Sequence, residues 1–90
     1  MEFEKRHYSV LRALLGSEQT MRELVEKESG CMGAINELVR EGFVSIKIRF
    51  ENRPECTYFA KTYSITAPER IYVEGAVKCW DELSSMLGTQ

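Results

Sequence analysis

The sequence predicts an α+β fold, mostly helical, with three short helices, a two-stranded β-hairpin and a long C-terminal helix. Three observations carry this prediction. A helical apolar pattern in residues 33–41 stops at Gly42, apolar and polar residues then alternate over 43–50, and a long apolar stripe at helical spacing occupies 72–87. A chain of 90 residues suffices for one core of modest stability, so we expect a single domain over residues 1–90.

The first two helices are predicted from apolar spacing and capping residues. From about residue 5 to 15, apolar side chains recur on one helical face, at Tyr8, Leu11, Leu14 and Leu15. Gly16 ends this pattern. Thr20 followed by Glu23 matches a capping box, in which each side chain bonds to the backbone N–H of the other residue. We therefore expect a second helix that begins after Thr20 and ends near Glu28.

A third helix is expected over residues 30–41. The residues predicted to point inward are Ile35, Leu38 and Val39, which recur at helical spacing. Ser29 is placed to cap the start of this helix, and Gly42 can take the left-handed conformation that ends one. The short interval between the second and third helices is what a helix-turn-helix requires.

Residues 43–65 are expected to form a β-hairpin. One face of its first strand carries Val44, Ile46, Ile48 and Phe50, and the other carries Ser45, Lys47 and Arg49. This alternation predicts a half-buried strand, followed by a turn at 51–55 and a second strand at 56–65. Lys47, Arg49 and Arg53 are expected on its outer edge, with Lys61 nearby. The hairpin holds four basic and two acidic residues, a net charge of +2 in a chain whose net charge is −2.

The last helix is expected over residues 67–88. Thr66 and Glu69 match a second capping box, and Pro68 falls in the first turn, where a missing N–H costs little. A helix of about twenty residues spans ~30 Å, which is more than the rest of so small a domain covers easily. Part of its apolar stripe is therefore expected to pair with a second copy of the chain. The residues predicted in or near this dimer interface are Tyr72, Ala76, Trp80, Leu83 and Leu87.

No metal site, cofactor or catalytic centre is indicated. Cys31, Cys56 and Cys79 are far apart and form no CxxC pair, so we expect reduced, mostly buried thiols and no bound metal. His7 is expected at the surface or partly buried, with no catalytic role. No Gly-rich phosphate loop and no nucleophile with a recognisable base motif occurs, which argues against an enzyme. No apolar run approaches the ~20 residues of a membrane span, and the first residues are acidic, so we expect a cytoplasmic protein.

Two motifs carry a resemblance to a known family. Residues 38–44, Leu-Val-Arg-Glu-Gly-Phe-Val, look like the end of a recognition helix entering a wing, and residues 63–66, Tyr-Ser-Ile-Thr, look like the exit from that wing. With the order of the elements, the chain resembles the winged helix-turn-helix domains of small prokaryotic and archaeal transcription regulators, such as the MarR-like, ArsR-like and PadR-like groups. The resemblance covers nearly the whole chain.

The resemblance implies a homodimeric regulator of transcription that binds double-stranded DNA through helix 30–41 and the wing, residues 43–65. In that family the third helix enters the major groove, the wing contacts the DNA backbone or minor groove, and the terminal helix pairs two subunits. Asn36 is the best candidate to read a base, because its amide can engage adenine at N6 and N7 together. The remaining residues expected at DNA are Ser29, Gly30, Met32, Gly33 and Arg40 around the helix, and Lys47, Arg49, Arg53 and Lys61 in the wing.

A rival interpretation keeps the fold and changes the partner. Glu37 and Glu41 place negative charge near the proposed DNA surface, and the chain as a whole is acidic. Both observations favour a winged-helix module that binds protein or is a subunit of a larger assembly, because fold alone does not determine function.

Overall fold

Four α-helices and a three-stranded antiparallel sheet form the described part of the computed structural model, which covers residues 2–52 and 54–87. In chain order the elements are α1 (Lys5–Gly16), β1 (Gln19–Thr20), α2 (Met21–Lys27), α3 (Met32–Arg40), β2 (Val44–Asn52), β3 (Thr57–Ile65), a short 3₁₀ helix (Ala67–Glu69) and α4 (Arg70–Leu87). This order confirms the predicted α+β, winged-helix class.

The starts of α2 and α3 differ in how well the sequence predicted them. The capping box of α2 is present, because Glu23 N donates to Thr20 Oγ1 at 3.2 Å and Thr20 N donates to Glu23 Oε1 at 3.1 Å. The prediction that Ser29 caps the third helix was wrong. Ser29 lies in a turn with Gly30, whose φ is +81°, and α3 begins only after Cys31. That left-handed residue prevents the helix from extending further back.

A glycine in the left-handed conformation joins α3 to the wing. Gly42 has a φ of +85°. Its N–H donates to Val39 O at 3.1 Å, and the N–H of Phe43 donates to Leu38 O at 3.0 Å. These two bonds form a Schellman motif, so the predicted left-handed cap at Gly42 is confirmed.

The sheet has the strand order β1-β3-β2. β2 and β3 form the predicted hairpin in a continuous register that runs from Val44 opposite Ile65 to Asn52 opposite Thr57. β1 was not predicted; its two residues pair with Tyr63 and Thr62 on the other side of β3. In the described part of the chain, β2 thus has a neighbouring strand on one side only.

The core lies where α1, α3 and α4 meet the base of the sheet. Its buried apolar residues are Val10, Leu11, Leu14, Leu24, Cys31, Ala34, Ile35, Leu38, Val44, Tyr63, Ile65, Val73 and Val77. α4 packs through Val73 and Val77 rather than through the whole predicted stripe, and the ring of Trp80 stacks on Tyr8 at 4.5 Å between centroids. The prediction for His7 was wrong, since this side chain is only 2% exposed.

Three further predictions were wrong in detail. The wing is not half buried along its length, because Val44 is 2% exposed whereas Ile46, Ile48 and Phe50 are 45–72% exposed. Thr66 forms no capping bond; its hydroxyl donates instead to Gly42 O at 2.8 Å, which ties the end of the wing to the end of α3. Cys31 is buried as expected, but the other two thiols, Cys56 and Cys79, are exposed.

No helix in the described residues is both long enough and apolar enough to cross a membrane.

Candidate nucleic-acid interface

One face of α3 is exposed and carries the side chains predicted to face DNA. The opposite face is buried in the core through Ala34, Ile35 and Leu38. The exposed positions on the outer face are Met32, Gly33, Asn36 and Arg40. Ser29 is also exposed, but it lies in the turn before α3 and not at the helix start. Four of the predicted contacts are therefore displayed together on one helix.

Ion pairs tie the start of α1 to this outer face. Arg6 Nη2 donates to the two carboxylate oxygens of Glu37 at 2.9 and 3.0 Å, and Arg6 Nε donates to Glu4 Oε2 at 2.8 Å. A Cβ at Gly33 would lie 3.5 Å from Arg6 Nη1. The guanidinium group thus sits directly beside the surface predicted to enter the major groove.

The buried side chain of His7 also contacts Glu37. The two hydrogen bonds of its ring identify its tautomer. The backbone N–H of Glu4 donates to His7 Nδ1 at 2.8 Å, so Nδ1 acts as an acceptor and carries no proton. Nε2 lies 2.7 Å from Glu37 Oε2 and therefore donates to it. A neutral, buried His7 in this way positions the Glu37 carboxylate on the outer face of α3.

The negative charge of Glu37 is partly compensated within the chain. The hydrogen bond from His7, followed by that from Arg6, lowers the pKa of Glu37 below its ordinary value. The carboxylate is therefore ionised at neutral pH, and Arg6 divides its positive charge between Glu37 and Glu4. The negative charge that weighed against DNA in the sequence is thus reduced but not removed, while Arg40 and the amide of Asn36 stay exposed on the same helix.

The wing brings Lys47 and Arg49 together over a single acidic residue. Lys47 Nζ lies 3.4 Å from Glu18 Oε1, and Arg49 Nη2 lies 3.7 Å from Glu18 Oε2. Thr62 also donates to this carboxylate, at 3.3 Å. The cationic side chains remain 61% and 56% exposed, and exposed pairs of this kind contribute only about 0–1 kcal/mol. Both cations can therefore exchange Glu18 for another anion.

The other predicted wing residues do not join this pair. Lys61 lies opposite Ile48 in the register, on the face of the hairpin that is opposite to the one with Lys47 and Arg49. Arg53 lies outside the described residues. The predicted wing contacts are thus divided between two faces.

The residues predicted at a dimer interface lie along α4 with unequal exposure. Leu83, Leu87 and Tyr72 are 56–72% exposed, whereas Ala76 and Trp80 are half-buried. Tyr72 also packs against Phe43 at 5.9 Å between ring centroids. The most exposed part of the stripe is its C-terminal end, where Met86 is 72% exposed as well.

Three residues of this surface were missed from the sequence, namely Arg6, His7 and Glu18. The contacts that bring them to this surface, with Glu37 and with the wing, join residues 29 to 31 positions apart in the chain, so no local pattern could indicate them. Within residues 2–52 and 54–87 there is no pocket and no group of three His, Cys, Asp or Glu side chains placed to hold a metal.

Comparison with known proteins supports the fold. The structure is similar to the crystal structure of the circadian clock associated protein Pex from Anabaena, with a TM-score of 0.67 over 93% of this chain and 81% of that one. The two sequences are 13% identical, so the likeness concerns the fold. No protein-family model matches the sequence, and no curated protein matches it. The chain has the winged-helix-like α+β fold.

Proposed function

We propose that the chain is a DNA-binding regulator of transcription that binds double-stranded DNA as a homodimer, through the outer face of α3 and the wing. The observation that carries the proposal is the exposed outer face of α3, which displays Met32, Gly33, Asn36 and Arg40 together. Arg6 bonds to both Glu4 and Glu37 at the border of this face and offsets part of their negative charge. The compartment of such a protein is the one that holds the DNA, which is the cytoplasm in prokaryotes.

The roles within this proposal follow from side-chain chemistry. Asn36 would read a base in the major groove, because its amide can both donate and accept. Arg40 would contact a phosphate beside the helix, and Lys47 and Arg49 would contact phosphates from the wing after releasing Glu18. In this proposal the protein acts without catalysis and without a cofactor. The structural neighbour is described as associated with a circadian clock, which agrees with a regulatory role.

Homodimerisation through α4 is part of the proposal. Leu83, Met86 and Leu87 form an exposed apolar group at the end of the helix, and a second copy would cover it. Two recognition helices of such a dimer would need to reach successive major grooves, ~34 Å apart.

The test is selection from a pool of random duplex DNA with purified protein at ~50 mM and ~200 mM salt, followed by sequencing of the bound molecules. Salt-sensitive binding and enrichment of a two-fold symmetric motif would support a dimeric operator-binding protein. An Asn36→Ala variant should change the enriched motif more than the general affinity, with Asn36→Gln as its conservative partner. Absence of binding at both salt concentrations would overturn the proposal.

A second candidate function, a protein-binding module, is favoured by one specific observation. The face of the wing away from Glu18 exposes Ile46, Ile48, Phe50 and Phe59 to solvent. A contiguous exposed apolar surface on a small domain marks an interaction site. The proposed contacts with DNA use the other face of the wing and would leave this surface exposed.

A further inference from the structure

The outer side of β2 presents unpaired backbone groups in a regular pattern. Thr66 N donates to Phe43 O at 3.0 Å across the base of the hairpin, and the Thr62 hydroxyl lies 3.5 Å from Lys47 O. Both contacts show that Phe43 and Lys47 direct their carbonyl groups toward β3. Because hydrogen-bonded and non-hydrogen-bonded pairs alternate in an antiparallel ladder, Ser45 and Arg49 also bond to β3. The residues that alternate with them, Ile46, Ile48 and Phe50, direct their N–H and C=O groups away from β3.

We call the outward backbone groups of Ile46, Ile48 and Phe50 the open edge. β2 is the last strand of the sheet in the described part of the chain, so no strand there bonds to this edge. The strand is nine residues long, which is enough for an added strand to form several ladder bonds. Proteins usually protect such an edge by charge, proline or a covering element.

The side chains at the open edge are apolar and exposed. Ile46, Ile48 and Phe50 are 45%, 57% and 72% exposed, and Phe59, opposite Phe50, is 62% exposed. An added strand with apolar side chains on the same face would cover them and extend the apolar surface. Backbone bonding and apolar burial therefore favour the same mode of binding.

Charge on the opposite face selects the partner. Lys47 and Arg49 alternate with the apolar residues, and Glu18 is the single carboxylate that contacts both of them in the described residues. A strand added at the open edge would place its own alternate side chains beside these cations. Acidic residues at those positions would gain from the pairing, whereas basic ones would be repelled.

A second copy of the chain does not meet this requirement. If two β2 strands overlapped fully, with Ile48 opposite its own copy, Lys47 would lie opposite Arg49 twice. A slide by two residues places Lys47 opposite Lys47 of the copy, and a slide in the other direction places Arg49 opposite Arg49 and Lys47 opposite Glu51. Like charges directly opposite each other in a sheet are destabilising, so the first two registers disfavour self-pairing, and the third is distinguished below by its dependence on protein concentration.

We propose that the open edge of β2 binds, as an added β-strand, an extended segment of another protein in which apolar residues alternate with Asp or Glu. The backbone of the segment would bond to Ile46, Ile48 and Phe50, its apolar residues would cover the exposed face, and its carboxylates would pair with Lys47 and Arg49. This goes beyond the proposed binding of DNA and does not require it.

The first test is a fluorescence-anisotropy titration with synthetic peptides. The probe is a labelled seven-residue peptide in which Glu and Val alternate, and its matched control has Lys in place of each Glu. A third peptide carries N-methyl groups on the backbone amides that would face the edge. We expect the acidic peptide to bind about tenfold more tightly than either control, because each control loses one of the two required interactions. Equal affinity for all three peptides would overturn the proposal.

The second test reverses the charge of the protein. The combined variant Lys47→Glu, Arg49→Glu should prefer the Lys peptide to the Glu peptide, whereas Lys5→Glu, Lys78→Glu makes the same change of net charge elsewhere and should keep the original preference. A preference that changes equally in both variants would overturn the assignment of these two cations. Circular dichroism of each variant checks that it is folded.

The third test uses the unmodified protein and amide hydrogen exchange by NMR. Without peptide, the amides of Ile46, Ile48 and Phe50 should exchange faster than those of Lys47 and Arg49, since the latter bond to β3. Addition of the acidic peptide should slow exchange at the first three amides and leave the other two unchanged. Slowed exchange that needs no peptide and depends on protein concentration would show that a second copy occupies the edge, which would overturn the proposal.

Discussion

Removal of the Glu18 carboxylate should strengthen DNA binding by the wing. Lys47 and Arg49 both contact Glu18, at 3.4 and 3.7 Å, and they must release it before they contact phosphate. An exposed ion pair contributes about 0.2–1 kcal/mol, so the two pairs together restrain the cations by about 1 kcal/mol. Because 1.4 kcal/mol corresponds to a tenfold change, Glu18→Gln should bind DNA about fivefold more tightly at ~50 mM salt.

The salt dependence separates this mechanism from a general effect of charge. Salt weakens the ion pairs with Glu18 in the parent, so the advantage of Glu18→Gln should shrink as salt rises and its slope of log affinity against log salt should be steeper than that of the parent. Glu26→Gln is the matched control, since Glu26 pairs with Arg22 of its own helix at 3.6 Å and with neither wing cation. Fluorescence anisotropy with one labelled duplex at several salt concentrations measures both variants. Identical slopes for the parent and the two variants would refute the reasoning.

Three further variants test the core, the Glu37 cluster and the dimer. Leu38→Ala should lower the free energy of unfolding by about 2–5 kcal/mol in a urea titration, because the side chain is fully buried; a loss below this range would place Leu38 outside the core. The pKa of Glu37 is lowered on folding, so its stabilisation is present above its ordinary value of 4.5 and is lost as the pH falls through the lower folded value. The difference in Tm between the parent and Glu37→Gln should therefore shrink below pH 4.5, and a pH-independent difference would contradict the pairing. In the proposed homodimer, Leu83→Glu should halve the mass measured by light scattering, with Lys78→Glu as a control, and the same mass for Leu83→Glu and the parent would exclude this face.

Local interactions explain which parts of the fold could be predicted from the sequence. The capping box of Thr20 and Glu23 and the turn at Gly42 involve partners that are at most a few residues apart. The residues that form such a cap or turn are neighbours in the chain, so the local sequence directly indicates where a helix begins or ends. Ser29 misled the prediction because a serine before an apolar run resembles a cap, whereas the left-handed Gly30 delays the helix to Met32.

The electrostatics of the candidate site depend on long-range contacts and could not be predicted. Glu37 was interpreted as a charge that repels DNA, yet Arg6 and His7 meet it from α1, about 30 residues earlier in the chain. Lys47 and Arg49 were predicted on the outer edge of the hairpin, and no local pattern indicated that Glu18 contacts both of them. Glu37 is less negative in its surroundings than the sequence suggested, and the wing is less positive. The charge of a residue in the sequence therefore does not determine the local charge of the folded surface.

Alternation predicted the two faces of β2 but not what covers them. Val44 is buried because it lies at the base of the hairpin, against the core, whereas Ile48 and Phe50 share its face and are exposed further out. A period of two indicates which side chains lie together. Whether they are buried depends on how far the rest of a small domain extends, and here the strand is longer than the core that supports it.

Neighbouring residues of β2 therefore belong to two different surfaces. Substitutions at two consecutive positions can test whether these surfaces act separately. Ile48→Thr keeps a β-branched residue in the strand and removes apolar area from the outward face, while Lys47, Arg49 and Glu18 are unchanged. This variant should bind the acidic peptide more weakly and bind DNA with the parent affinity and salt dependence. Lys47→Ser, one residue earlier on the other face, should weaken both, because the cation serves both partners. If Ile48→Thr weakened DNA binding as much as Lys47→Ser does, the two faces would not act separately, and the exposed apolar face would have to be counted as part of the DNA interface.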